Sequence, residues 1–148
     1  MSPRRLDPDS VAGKLRLMEP LIDRLADLAA VTGEELRHDL DRRLVVERIL
    51  SVLVETAAAV NGHLAGAAGV PVPEDYRSSF AAAASVGAIP DDLARRLAPS
   101  AGLRNRLAHR YGEVDLDIVA AAVPRAHADY GEYVERVSAW LLGAANEG

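Results

Sequence analysis

The chain has 148 residues, of which 49% are hydrophobic and 4% are aromatic, and its formal net charge is -5 at pH 7. This length is enough for one domain with a hydrophobic core. The absence of cysteine excludes disulfides, thiol nucleophiles and cysteine-ligated metals, and the acidic balance argues against a general nucleic-acid coat.

The composition favours helices, since alanine and leucine are abundant and no stretch alternates apolar and polar residues as a strand does. We therefore predict an all-α, up-and-down bundle of about five helices. Residues 1–8 are expected to be a disordered lead-in, and residues 9–148 a single helical domain. Residues 1–8 lack the apolar core of a secretion signal, and no charge-free apolar run could span a bilayer. We expect a cytoplasmic protein without a membrane partner.

Apolar spacing predicts two N-terminal helices. Asp9 or Ser10 can cap the first helix. Pro20 should kink or split this helix, and Gly33 should end it. The second helix is predicted over about residues 36–64, and its centre is apolar on nearly all sides: Leu44, Val45, Val46, Ile49, Leu50, Val52, Leu53 and Val54. Such a helix must be covered all round, so we expect one side of it to meet a second subunit.

Three more helices are predicted after a loop rich in glycine and proline. The third covers residues 76–86, and the fourth opens with the acidic residues that follow Pro90. Pro99 should break or restart the fourth helix. The last helix is long, begins at about residue 115 and should bend at Pro124. Its two tyrosines are expected to pack inside the bundle.

The stretch RNRLAHRY, residues 104–111, carries the residues best suited to chemistry. The guanidinium of Arg104 can hold a phosphate through paired hydrogen bonds, and His109 can transfer protons near neutral pH. Cutting an RNA strand with its own 2′-hydroxyl needs an acid, a base and positive charge at phosphorus. Asn105 can orient a phosphate or the imidazole. Arg106 is a candidate for substrate binding, although the helix dipole also explains a cation at this position.

The spacing within this motif leaves two arrangements open. Residues five apart on a helix are separated by roughly 140°, so one straight helix would not aim Arg104 and His109 at the same point. Either the helix unwinds near His109, ahead of Gly112, or two subunits face each other and share one pocket. Arg104 and Tyr111, seven residues apart, would lie on nearly one line.

Supporting residues are predicted on the second helix. Glu47, Ser51 and Glu55 recur every four residues on an otherwise apolar helix. This line could border a polar cleft and orient Arg104, or it could be an ordinary solvent-facing stripe. The remaining histidines have no clear metal spacing, and we predict no metal site.

The motif and its flanks together resemble HepT-like toxins of the HEPN superfamily. The resemblance rests on VPVPEDYRSSF at residues 70–80, GAIPDDLARRL at residues 87–97 and GLRNRLAHRYGEVD at residues 102–115. It extends over about residues 40–142.

This resemblance implies an HEPN-like homodimer and a metal-independent endoribonuclease site in the cleft between its subunits. Arg104 and His109 would be catalytic, no cofactor would be needed, and the RNA cut could be tRNA. The resemblance further implies a toxin of a toxin–antitoxin module. Its partner would be a minimal, MntA-type nucleotidyltransferase that neutralises the toxin by transferring AMP from ATP to Tyr111. The alternative is a helical module that binds a nucleotide or this partner without catalysis.

Overall fold

The computed structural model describes residues 5–147, and over this range the protein is helical without any strand. The elements are α1 (Pro8–Asp27), α2 (Gly33–His38), α3 (Leu40–Ala68), α4 (Tyr76–Ser85), α5 (Asp91–His109), a short 3-10 turn (Tyr111–Glu113) and α6 (Leu116–Glu147). The all-α prediction is confirmed, with one helix more than the five expected. The predicted lead-in lies partly outside the described residues, and its division from a domain over residues 9–148 stays a prediction.

Helix α1 begins earlier than predicted and is not interrupted. Its N-cap is Asp7, whose carboxylate accepts a hydrogen bond from the backbone N–H of Ser10 at 3.1 Å. Pro8 fits the first turn because a proline there loses no hydrogen bond. The predicted split at Pro20 is wrong, because this proline and Arg16, whose carbonyl it leaves unbonded, both lie on the exposed side of α1.

Gly33 begins a helix instead of ending one, which corrects the sequence prediction. Helix α1 ends at Asp27, and Gly33 is the first residue of α2. A Cβ atom at this position would lie 2.9 Å from the Cα atom of Asp117, so glycine lets α2 approach α6 closely. Asp39 then ends α2 and caps α3 by accepting a hydrogen bond from the N–H of Arg42. The predicted helix over residues 36–64 is therefore divided at Asp39.

The C-terminal helices follow the predicted order. Helix α4 ends one residue before the predicted boundary, and Gly87 adopts a left-handed φ of 85° in the turn that follows. The predicted break at Pro99 is wrong, since α5 runs through this proline, and α6 likewise continues through Pro124. Both prolines are exposed, and so is Arg95, whose carbonyl loses its helical hydrogen bond to Pro99, so water can bond that carbonyl.

Helix α3 is the centre of the bundle and packs against α1, α4, α5 and α6. Its buried residues join a core that includes an aromatic cluster of Phe80, Tyr130 and Tyr133, whose rings meet edge to face at centroid distances of 6.3–6.4 Å. The predicted packing of the two tyrosines inside the bundle is confirmed. Within residues 5–147, no helix is long and apolar enough to cross a membrane.

Candidate functional site

A pocket of about 290 Å³ lies between α3 and α5, and we call it the α3–α5 pocket. It is lined by Leu44, Glu47, Arg48, Ser51 and Glu55 from α3, by Arg104, Leu107 and Ala108 from α5, and by Tyr111 from the 3-10 turn. A larger cavity of about 490 Å³ lies between α4 and α5, but no residue of the RNRLAHRY motif lines it. The α3–α5 pocket, which residues of the motif line, is therefore the candidate functional site.

Arg104 is held in this pocket by two neighbours. Its Nη2 atom donates a hydrogen bond of 2.9 Å to Oε1 of Glu55, and its guanidinium lies 4.9 Å from the centroid of the Tyr76 ring. The Arg104 side chain is 20% exposed. An ion pair and a cation–π contact together fix the plane of the guanidinium. One arginine with a defined orientation thus faces a cavity open to an anion.

Glu47 is the more deeply buried of the two glutamates and holds a second arginine. Its Oε1 atom accepts a hydrogen bond of 2.7 Å from Nε of Arg43, one turn earlier on α3. The hydrogen bond to Glu47 raises the pKa of Arg43, which therefore keeps its charge. The Arg43 guanidinium lies 4.7 Å from the centroid of the Tyr111 ring. Two arginine–glutamate pairs therefore lie in or beside the pocket, and each arginine also lies over a tyrosine ring.

His109 is not brought to this pocket by its own chain. It is the last residue of α5, and the helical conformation is lost at Arg110, which has φ -135° and ψ 42°. The imidazole is exposed and does not line the pocket. Helix α5 does not unwind before His109, so the angular separation from Arg104 expected for a straight helix remains. Within one chain, Arg104 and Tyr111 share the pocket and His109 stands outside it.

The other predicted site residues are divided between the pocket and the surface. Glu47 and Glu55 line the pocket together with Ser51, as the line of every fourth residue suggested. Asn105 is exposed on α5. Arg106 lines a different groove, of about 150 Å³, between α5 and α6. The structure therefore does not bring Asn105 or Arg106 to Arg104.

Three residues of this region were not selected from the sequence. Arg43 could have been found, because it precedes Glu47 by four residues, the spacing of an ion pair on one helix face. Arg48 lies among apolar residues and lines the pocket. Tyr76 approaches Arg104 only through the packing of α4, which no local pattern reveals. Within residues 5–147, no three His, Asp or Glu side chains are grouped as a metal site requires.

Comparison with known proteins identifies the class to which this fold and motif belong. The chain is a helical bundle with Arg104 and His109 on its fifth helix and Tyr111 in the turn that follows, and Arg104 and Tyr111 line a polar pocket. The family model "Ribonuclease HepT-like" matches residues 18–137. The chain belongs to the HepT-like ribonuclease family.

Individual relatives agree with this assignment over nearly their whole length. The chain is 25% identical to "tRNA nuclease HepT" of Aphanizomenon flos-aquae, covering 96% of this chain and 97% of the relative. It is 24% identical to "mRNA nuclease HepT" of Shewanella oneidensis, covering 88% of this chain and 98% of the relative. The solved structure of a tri-AMPylated Shewanella oneidensis HEPN toxin in complex with an MNT antitoxin has a similar fold. Its TM-score is 0.76 at 24% identity, covering 87% of this chain and 96% of that one.

Proposed function

We propose that the protein is a metal-independent endoribonuclease and the toxin of a toxin–antitoxin module. The observation that carries this proposal is Arg104, fixed by Glu55 and Tyr76 at the edge of a cavity, in a chain of the HepT-like ribonuclease family. A guanidinium held in this way binds a phosphodiester with two parallel hydrogen bonds. The names of two relatives, both nucleases of RNA, support an RNA strand as the substrate.

In the proposed reaction, the RNA supplies its own nucleophile. The 2′-hydroxyl loses its proton to a base and its oxygen bonds to the adjacent phosphorus. The bond from phosphorus to the 5′-oxygen then breaks, and an acid returns a proton to that oxygen. Arg104 stabilises the negative charge that grows on the phosphoryl oxygens, and His109 acts as the base or the acid. The products are a cyclic phosphate and a free 5′-hydroxyl.

A homodimer would supply the imidazole that one chain lacks. His109 is exposed outside the α3–α5 pocket of its own chain. Beside this pocket, α3 exposes apolar side chains that a monomer would leave in water: Leu40, Leu44 and Val45. We propose that these residues pack against the same surface of a second copy. Such a two-fold contact would bring the motifs of both protomers to one cleft.

Control of the toxin is proposed to act on Tyr111. This tyrosine lines the pocket and its side chain is 43% exposed, so a second enzyme can reach its hydroxyl. The similar Shewanella oneidensis toxin is described as tri-AMPylated and bound to an MNT antitoxin. We propose that an MntA-type nucleotidyltransferase adds AMP from ATP to Tyr111. The added phosphates would fill the pocket and occupy the arginines that otherwise bind RNA.

The decisive experiment incubates the purified protein with bulk tRNA and with an mRNA transcript, each with and without EDTA. We expect cleavage that persists in EDTA and falls roughly 10²–10⁴-fold in His109→Ala, the range that a general acid or base contributes. The matched control is His38→Ala, because His38 is exposed on α2, far from the motif along the chain. Undiminished cleavage by His109→Ala would refute the catalytic assignment. Binding without turnover by the parent would favour the non-catalytic module instead.

A further inference from the structure

The ring of Tyr111 contacts the guanidinium of Arg43, a residue distant in sequence. Tyr111 lies in the 3-10 turn after α5, where the chain leaves the helix. Within residues 5–147, its hydroxyl makes no hydrogen bond, and the contact defined for its ring is with the Arg43 guanidinium, 4.7 Å from the ring centroid. A half-exposed side chain in a short turn would otherwise sample several rotamers.

The Arg43 side chain is itself held by a hydrogen bond to Glu47. Its Nε atom donates to the buried carboxylate of Glu47 at 2.7 Å, and the Arg43 side chain is 21% exposed, against 47% for the neighbouring Arg42. Both Nη atoms of Arg43 are free of hydrogen bonds to the described part of the chain. Glu47 therefore sets the plane of the guanidinium, and the guanidinium sets the plane of the Tyr111 ring.

We infer that Arg43 is a positioning residue for nucleotide transfer to Tyr111, holding the phenol ring so that its hydroxyl meets the nucleotide. This inference rests on the proposed role of Tyr111 as the acceptor. In the transfer, the Tyr111 oxygen bonds to the α-phosphorus of ATP, the bond from that phosphorus to the bridging oxygen breaks, and pyrophosphate leaves. The phenolic proton passes to a general base of the transferring enzyme. A misplaced acceptor oxygen slows such a reaction even when both substrates are bound.

An arginine paired with a glutamate and placed over a tyrosine ring occurs twice at this site, which supports this assignment. Arg104 lies over Tyr76 and pairs with Glu55, while Arg43 lies over Tyr111 and pairs with Glu47. The two glutamates are eight residues apart on α3, about 12 Å along the helix axis. Arg104 lines the pocket directly, whereas Arg43 reaches it only through Tyr111. We therefore assign Arg104 to contact with the substrate and Arg43 to positioning of the Tyr111 side chain.

The test measures AMP addition by intact mass, using an MntA-type nucleotidyltransferase and varying the ATP concentration. We expect Arg43→Ala to lower kcat about fivefold, the factor that corresponds to one exposed cation–π contact of about 1 kcal/mol. The KM for ATP should stay within about twofold, since Arg43 is not proposed to contact ATP. Arg43→Lys keeps a cation near the ring and should recover part of the rate. Arg42→Ala is the matched control and should react like the parent.

The outcomes separate this inference from the proposed function. Modification of Arg43→Ala at the parent's kcat would overturn the positioning role. If the parent itself gains no AMP on Tyr111, the acceptor assignment fails, and this inference fails with it. Should Arg43→Ala not fold because it leaves the buried Glu47 carboxylate without a cation, the double variant Arg43→Ala, Glu47→Gln replaces it. The same kcat criterion then applies to that variant.

Discussion

Two polar regions lie along α3, and they differ in how completely their groups are enclosed. Towards the C-terminal end, Asn61, Ser79 and Tyr133 form a buried network. Asn61 donates to Ser79 at 3.1 Å and accepts from the Tyr133 hydroxyl at 2.6 Å. Towards the other end, the α3–α5 pocket contains the Arg104–Glu55 pair, in which both side chains remain partly exposed beside a cavity.

The difference separates a fully buried polar network from a partly open charged pocket on the same helix. All three members of the buried network are at most 2% exposed, so each must find its partner inside the protein. In the pocket, Glu55 is 32% exposed, and water can replace a lost partner there. Substitutions in the network should therefore reduce stability, while substitution of Arg104 in the pocket should reduce the proposed activity.

The largest effect that would test this comparison is expected at Arg104. Arg104→Ala removes the proposed donor for the developing phosphoryl charge, so RNA cleavage should fall about 10²–10³-fold. The free energy of unfolding should change by about 1 kcal/mol or less, because the partly exposed Glu55 can be hydrated. Single-turnover cleavage and urea denaturation measure the two quantities. Arg95→Ala, an exposed arginine of the same helix, is the control that should keep its cleavage rate.

Asn61→Ala should have the opposite profile. It removes the buried amide shared by the Tyr133 and Ser79 hydroxyls, which keep only the backbone carbonyls of Ala57 and Tyr76 as partners, and we expect a loss of about 2 kcal/mol in the free energy of unfolding. Cleavage per folded molecule should stay within about twofold of the parent below the melting transition. Equal stability of Asn61→Ala and the parent in urea would contradict the separation of the buried network from the pocket.

Most of the fold could be predicted because the apolar periodicity of long helices is a strong local signal. The wrong predictions concern where helices end and whether they continue through a proline. Asp39 ends one helix and caps the next, and a continuous periodic pattern hides such a change. Pro20 was expected to kink or split its helix, and Pro99 to break or restart its own, yet both helices continue. Each proline is exposed together with the residue whose carbonyl it leaves free, so water can bond that carbonyl. Where a proline faces is set by packing, which the neighbouring sequence does not reveal.

The pocket was partly predictable for the same reason. Glu47 and Glu55 are eight residues apart on α3, so helix geometry indicates that both point to one side. The same geometry predicted that Arg104 and Tyr111 would point one way, and both line the pocket although Tyr111 lies beyond the end of α5. That the two faces meet depends on the packing of α3 against α5. The approach of Tyr76 to Arg104 depends on α4. Contacts between elements distant in sequence left no trace in local spacing.

A smaller effect is expected where the pocket meets the exposed apolar side of α3. Leu44 lines the pocket and is 47% exposed. If this side is the proposed dimer contact, Leu44→Glu should raise the dimer dissociation constant at least about tenfold, which corresponds to about 1.4 kcal/mol. Sedimentation velocity over a range of concentrations measures it. Leu17→Glu, a similar change at an exposed leucine of α1, should leave the dimer intact. A parent that is monomeric at every concentration would contradict the dimer.

The smallest expected effect is a loss of stability at alkaline pH, which arises from the buried tyrosines and not from the pocket. Burial raises the pKa of Tyr130 and of Tyr133 above that of an ordinary tyrosine. A raised folded pKa means that stability is complete below the unfolded pKa of about 10 and falls as pH rises above it, by at most about 1.4 kcal/mol per unit for each tyrosine. Urea midpoints between pH 8 and 11 measure this slope. Lys14, the sole lysine, leaves few other groups to titrate there.

Two variants distinguish the effect of the titrating tyrosine hydroxyl from the effect of the packing of the aromatic rings. Tyr133→Phe removes one titrating group, so the alkaline decline in stability should become shallower by up to half. Phe80→Leu disturbs the contacts of the same two rings but removes no titrating group. It should lower stability at every pH while leaving the slope unchanged. An equal slope in Tyr133→Phe and the parent would mean that the buried hydroxyl network does not distinguish this end of α3 from the open pocket.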